Sequence, residues 1–152
     1  MGVRGSSTAK LIFNNCIISE ENLLENLNEG PKIAMSTLVG GRIGVATQAV
    51  GIAQGALNNA IDYVKNRMQF GKSISHHQNI QFTITDLQTK IEAARFMVYR
   101  AATTKDLKEE YGYLASMAKL FASEIAMKVT TQIIKLIKEN SKNCIIYEEK
   151  LD

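Results

Sequence analysis

Pro31 is the single proline of this chain, and no proline follows it anywhere. Proline inside a helix costs about 3 kcal/mol and is the strongest local breaker a sequence can carry. A chain that leaves it out over so long a reach favours long helices. The apolar residues use that freedom. Ile80, Ile84, Leu87, Ile91, Ala94, Val98 and Ala101 alternate steps of four and three, the seam of an antiparallel bundle helix. That spacing predicts a helix from about Ser75, a candidate N-cap, to Lys108.

Two further helices are expected beside it. From Ile33 to Phe70 one stripe runs Ala46, Ala49, Ala53, Ala56, Ala60, Val64, and another runs Ile43, Val50, Leu57, Ile61, Met68. Two stripes imply burial on two sides. Gly40-Gly41 is the candidate break. Gly51 and Gly55 let a neighbouring backbone come close on one face, a packing role first. The third helix covers roughly Tyr113 to Lys138, with Leu114, Ala118, Phe121, Ile125, Val129 and Leu136 inward. The polar run Glu139-Asn140-Ser141-Lys142-Asn143 reads as loose, and Cys144-Ile145-Ile146-Tyr147 has no assigned element. The expected class is mainly α: an incomplete antiparallel bundle of three long helices. A fourth helix or a partner chain is wanting.

Residues 1–27 do not look helical. Leu11-Ile12-Phe13 and Cys16-Ile17-Ile18 have β character, with Asn14-Asn15 suited to a turn between them. Two short strands cannot stand alone, so they read as a short β remnant of a larger sheet. Asn28, Gly30 and Pro31 mark a boundary. The expected organisation is therefore 1–27 as the end of a β-domain, 28–139 as a helical-bundle domain and 140–152 as a polar tail.

Composition narrows the function. With 152 residues, 45% apolar and 22% charged, the chain is the size of one globular domain. Its net charge of +3 is scattered, not gathered into a patch, which argues against nucleic acid. Ile43 to Ile61 carries no charge, but Thr47, Gln48, Gln54, Asn58 and Asn59 make it a buried helix, not a membrane span. Cys16 and Cys144 show no metal spacing and no disulfide framework, which fits a reducing compartment.

Between the first two helices lies the densest chemistry. Arg67, Met68, Gln69, Phe70, Gly71 and Lys72 are followed closely by His77 and Gln78. A guanidinium fork, an aromatic face and several hydrogen-bond donors suit a nucleotide cofactor. On the residues alone, Arg67 as a helix cap and Phe70 as a core residue are the better readings.

The Arg67-x-x-Phe70-Gly71-Lys72 turn resembles that of the acyl-CoA dehydrogenases, flavin enzymes of fatty acid metabolism that desaturate acyl-CoA thioesters. Further matches run in register from Met1 to about Gln132. Gly2-Val3-Arg4-Gly5-Ser6 resembles a segment of the family's middle β-domain. Gly41-Arg42-Ile43 and Ala53-Gln54-Gly55-Ala56-Leu57 resemble its first C-terminal helix. Ile91-Glu92-Ala93-Ala94-Arg95 and Ala118-Lys119-Leu120-Phe121-Ala122 resemble the next two.

The resemblance implies an FAD oxidoreductase assembled as a dimer or tetramer. Arg67 would lie on the FAD pyrophosphate, Met68, Gln69 and Phe70 along the adenosine half, and His77 and Gln78 opposite. Arg42 would help hold the CoA end of the substrate, and electrons would pass to an electron-transferring flavoprotein. The reaction needs a carboxylate to take the α-proton while hydride leaves the β-carbon for flavin N5. One family position for that base falls on Gly41, which has no carboxylate. The other lies in a loop that Ile146-Tyr147-Glu148 only echoes. Lys135, Lys138 and Glu139 replace a Gln and a Gly pair, Val39 an Asp, and Pro31 an aromatic residue. The expectation is a C-terminal fragment, inactive alone, of a cytoplasmic protein, or a mitochondrial-matrix one in a eukaryote. The competing expectation is a non-catalytic helical oligomerisation module.

Overall fold

The computed structural model describes residues 5–7 and 9–148, and from 139 to 148 it describes the helix backbone. By packing the chain divides into two compact units, Met1–Ala34 and Met35–Asp152. Three α-helices carry the fold: α1 (Gly30–Asn66), α2 (Gln78–Asp106) and α3 (Gly112–Glu148). Between α1 and α2 sit two short strands, β1 (Met68–Gln69) and β2 (Lys72–Ser73), paired antiparallel with Met68 opposite Ser73.

Among the described residues of the first unit, Glu20–Asn22 form a 3-10 turn. Its backbone bends through left-handed residues at Asn15, Glu25 and Asn28. Leu11-Ile12-Phe13 and Cys16-Ile17-Ile18 form no strands, a correction to the expected β remnant; the antiparallel pair lies in the interhelical corner instead. Two short segments without further strands beside them have no ladder to join. Their side chains stay out in solvent, with Ile17 97% exposed. Asn26 and Glu29 brace the entry to α1. The Glu29 carboxylate accepts from the Asn26 side-chain amide at 3.2 Å, and the Glu29 N–H donates to Asn26 O at 3.2 Å.

In the second unit α1 is unbroken at Gly40-Gly41. Each glycine costs about 1 kcal/mol in a helix, and the buried stripe that begins at Ala46 outweighs that. The fully buried residues of α1 are Ala46, Val50, Ala53, Leu57, Ala60 and Val64. They merge the two expected stripes into one, with Ile43, Ala49, Ala56 and Ile61 packed at its flanks. On α2 the buried set is Leu87, Ile91, Ala94, Val98 and Ala101. Opposite stand Leu114, Ala118, Ala122, Ile125, Val129 and Ile133 of α3, completing one core.

Polar struts fix how the helices sit. Arg42 on α1 donates to Ser116 Oγ on α3 at 2.7 Å, and Ser116 donates to Gly112 O at 2.9 Å. Arg95 on α2 donates to Gln54 Oε1 on α1 at 2.8 Å, and Arg95 also pairs with Glu92 at 3.4 Å.

α3 continues through the run expected to be loose and reaches Glu148. That run is polar but holds neither Gly nor Pro, so nothing in it forbids helix. The expectations for Gly2, Val3 and Arg4, and for the side chain of Glu148, fall outside the described residues.

Candidate functional site

The corner between α1 and α2 is built by Ser73 and Ile74. A helix end leaves its last carbonyls without partners. Ser73 Oγ stands 2.7 Å from Val64 O and 2.9 Å from Lys65 O, so one hydroxyl serves the end of α1. It also lies 2.8 Å from Ser75 Oγ. Ile74 is 1% exposed and plugs a second small core with Val64 and Leu136. The Ile74 N–H donates to Arg67 O at 2.9 Å, closing the corner. Neither Ser73 nor Ile74 was singled out from sequence. A lone apolar residue in a polar turn was the available signal for Ile74.

The chain leaves α1 sooner than its apolar pattern suggests. α1 ends at Asn66, and Ser75 does not cap α2; the 3-10 turn Ile74–His76 precedes it, and Ser73 accepts the Ser75 N–H. Phe70 at φ 53° and Gly71 at φ 76° form the two-residue apex of the β1–β2 hairpin. Both apex residues with positive φ define a type I′ turn. Gly71 adopts this freely, whereas an aromatic residue there is strained.

The turn carries the Phe70 side chain outward, 80% exposed. Its ring meets His77 edge to face, with centroids 6.2 Å apart and planes at 81°. His77 precedes α2, and its Nε2 is buried with no hydrogen-bond partner. Arg67, half-buried, follows α1 directly, and its N–H donates to Tyr63 O at 2.9 Å. Met68 and Gln69 form β1, and Gln78 is the exposed first residue of α2. The structure therefore places Arg67, Met68, Gln69, Phe70, His77 and Gln78 in one corner.

Arg42 is elsewhere. It lies on α1 roughly 36 Å of helix from Asn66, at 1.5 Å rise per residue, tied to Ser116. This chain does not bring it to the corner.

The corner's residue types fit a dinucleotide. A guanidinium and side-chain amides suit a diphosphate, an exposed ring suits a heterocycle, and the unsatisfied His77 Nε2 has hydrogen-bonding capacity to spare. No group of three or more His, Cys, Asp or Glu is arranged for a metal among the described residues.

A second charged cluster bridges α2 and α3. Lys90 pairs with Asp86 one turn away, and Lys128 of α3 adds a further positive charge to their electrostatics. The hydrogen bond from Lys90 holds the Asp86 carboxyl below the usual carboxylate range. The bond to Asp86 raises Lys90, while the Lys90 amine lowers Lys128.

The fold is a helical bundle with a donor-rich, aromatic hairpin between its first two helices, and comparison with known proteins gives its family. Residues 28–140 match the family described as acyl-CoA dehydrogenase, C-terminal domain. The chain belongs to the acyl-CoA dehydrogenase family. It is 47% identical over 137 residues to the mitochondrial short-chain specific acyl-CoA dehydrogenase of Rattus norvegicus, covering 90% of this chain and 33% of that protein. The butyryl-CoA dehydrogenase of Megasphaera elsdenii superposes with a TM-score of 0.77 at 47% identity, over 79% of this chain and 31% of that one. A chain from the structure described as the electron transferring flavoprotein of Acidaminococcus fermentans gives a TM-score of 0.79 at 55% identity. It covers 83% of this chain and 33% of that one. The chain thus spans about one third of the length of the relatives it matches. No helix among the described residues is long and apolar enough to cross a membrane.

Proposed function

We propose that this chain supplies the cofactor-gripping corner of an FAD-dependent acyl-CoA dehydrogenase. The observation that carries the proposal is Phe70, held exposed on a strained turn beside Arg67 and His77. Backbone strain persists where surrounding structure enforces it, and it clusters at ligand clamps. Arg67 binds the FAD pyrophosphate through its planar fork. Met68, Gln69 and Phe70 lie along the adenosine half, with His77 and Gln78 facing them.

Bound FAD supplies the hydride acceptor for α,β-desaturation of an acyl-CoA thioester, and the electrons then pass to an electron-transferring flavoprotein. Arg42 orients the CoA end of a substrate at the far end of α1. Its separation from the corner suits an assembly of two or four copies, in which one copy's corner serves another copy's substrate site. The chain alone does not turn over. Gly41 stands where one branch of the family carries its base, and it has no proton-accepting group. Residues 1–27 are the end of a middle β-domain, a reading supported by the solvent exposure of Leu11, Phe13 and Ile17. Residues 28–139 are the helical-bundle domain and 140–152 a divergent tail. The protein works in the cytoplasm, or in the mitochondrial matrix of a eukaryote.

A second reading has its own observation. Tyr113, Leu120, Met127 and Ile134 stand exposed at seven-residue intervals along α3, the spacing of a helix-pairing seam. This favours a helical oligomerisation module without catalysis. Reconstitution separates the two. Purified chain that retains FAD through gel filtration, with the flavin absorbance riding on the protein peak, supports the cofactor corner. A colourless chain that cannot be reconstituted supports the module.

A further inference from the structure

Arg67 is held through its backbone on both sides. Its N–H donates to Tyr63 O at 2.9 Å, and its carbonyl accepts from the Ile74 N–H at 2.9 Å. Tyr63 and Ile74 belong to one small core, together with Val64 and Leu136. Ile74 is 1% exposed there and Leu136 8%. Strands β1 and β2 have two residues each, too few to fix the corner by pairing alone. The buried Ile74 is therefore the anchor of the turn. Leu136 is the buried residue that α3 adds beside it. Val129 and Ile133 of α3 belong to the main core, and Leu136, three residues further on, belongs to the small one. So α3 carries its apolar stripe past the main core and places one buried side chain under the corner.

We infer that Leu136 is a positioning residue for Arg67: by seating Ile74 it fixes the Arg67 backbone and so aims the guanidinium at the cofactor's diphosphate. Leu136 itself touches no ligand. Truncating it leaves a cavity into which the surroundings relax only in part. Ile74 is then free to shift, and its N–H no longer holds Arg67 O. A binding group must be kept within about 0.5 Å of its productive place, because charge-assisted hydrogen bonds depend on distance and angle. The diphosphate as target rests on the proposed function. The link from Leu136 through Ile74 to Arg67 rests on the shared core and the hydrogen bonds alone.

The test compares four variants of the full chain: Leu136→Ala, Leu136→Val, Leu136→Met and Val129→Ala. Val129 is 0% exposed in the main core of the same helix and controls for lost packing. Amide hydrogen exchange is read by NMR at Arg67 and Ile74, relative to Ile91 in the main core, and FAD is titrated into each protein. Leu136→Ala should speed exchange at Arg67 and Ile74 severalfold more than at Ile91, and Val129→Ala should not. FAD binding should weaken severalfold in Leu136→Ala, hold in Val129→Ala and return in Leu136→Met, a volume-conserving swap. If Leu136→Ala does not fold, Leu136→Val carries the same comparison with a smaller gap. Equal exchange ratios in the Leu136 truncation and Val129→Ala would overturn the inference, as would a truncation that binds FAD as tightly as wild type. If the wild-type chain binds no FAD, the cofactor reading falls, and the exchange ratios still decide the link from Leu136 to Arg67.

Discussion

Phe70 and His77 meet edge to face across the interhelical corner, 6.2 Å between ring centroids. The contact exists because Phe70 accepts φ 53°, a backbone region that aromatic residues avoid. A type I′ hairpin prefers Asn-Gly at its apex, and this chain has Phe-Gly. Phe70→Asn should therefore stabilise the chain by up to about 1 kcal/mol, the scale of the left-handed penalty, while weakening FAD binding. Urea unfolding paired with flavin titration reads both. A variant that loses both stability and flavin would show that Phe70 is a packing residue.

Ser73 serves carbonyls at the end of α1 through one hydroxyl. Ser73→Ala should cost about 1 kcal/mol, the usual loss for a cap or a single hydrogen bond. The midpoint of chemical unfolding should fall with an unchanged denaturant slope.

Leu57 and Ile91 are both 0% exposed and belong to one core. Leu57→Ala or Ile91→Ala should each cost about 2–5 kcal/mol through lost transfer energy and the cavity left behind. Loss of helical circular dichroism on heating, compared with wild type, measures it.

Asp86 and Lys90 give a pH dependence whose sign is fixed. The Asp86 carboxyl is held below its ordinary 3.8 by Lys90. Its contribution is present above that value and is lost as pH falls through the lower folded value. The raised Lys90 contributes below 10.5 and loses that contribution as pH rises through its folded value. Asp86→Asn should lower the melting temperature slightly at neutral pH and make no difference in strong acid. Added salt should shrink the neutral-pH gap, because the pair is exposed.

The three helical seams were legible in the sequence because steps of three and four leave few other folds open. Leu87, Ile91, Ala94, Val98 and Ala101 are buried as their spacing requires. The corner was harder. Two-residue strands are too short to show an alternation, and Phe-Gly hides a turn that Asn-Gly would announce. The N-terminal segments read as strands by composition, yet strand pairing depends on neighbours that local composition does not specify. The polar stretch after Lys138 reads as loose only if polarity is taken for disorder; without a breaker the helix continues. Arg42 was visible as a binding candidate, but its bond to Ser116 depends on how α1 meets α3, which periodicity does not reach. Asp86–Lys90 follows from helical spacing.

The central claim is that Arg67 holds the cofactor's diphosphate, and it is tested most directly by titrating FAD into three proteins: wild type, Arg67→Ala and Lys72→Ala. Arg67→Ala should weaken binding by about tenfold or more, the loss expected for charge-assisted hydrogen bonds, and Lys72→Ala by clearly less. Equal losses in the two variants, or a wild-type chain that binds no FAD, would contradict the account.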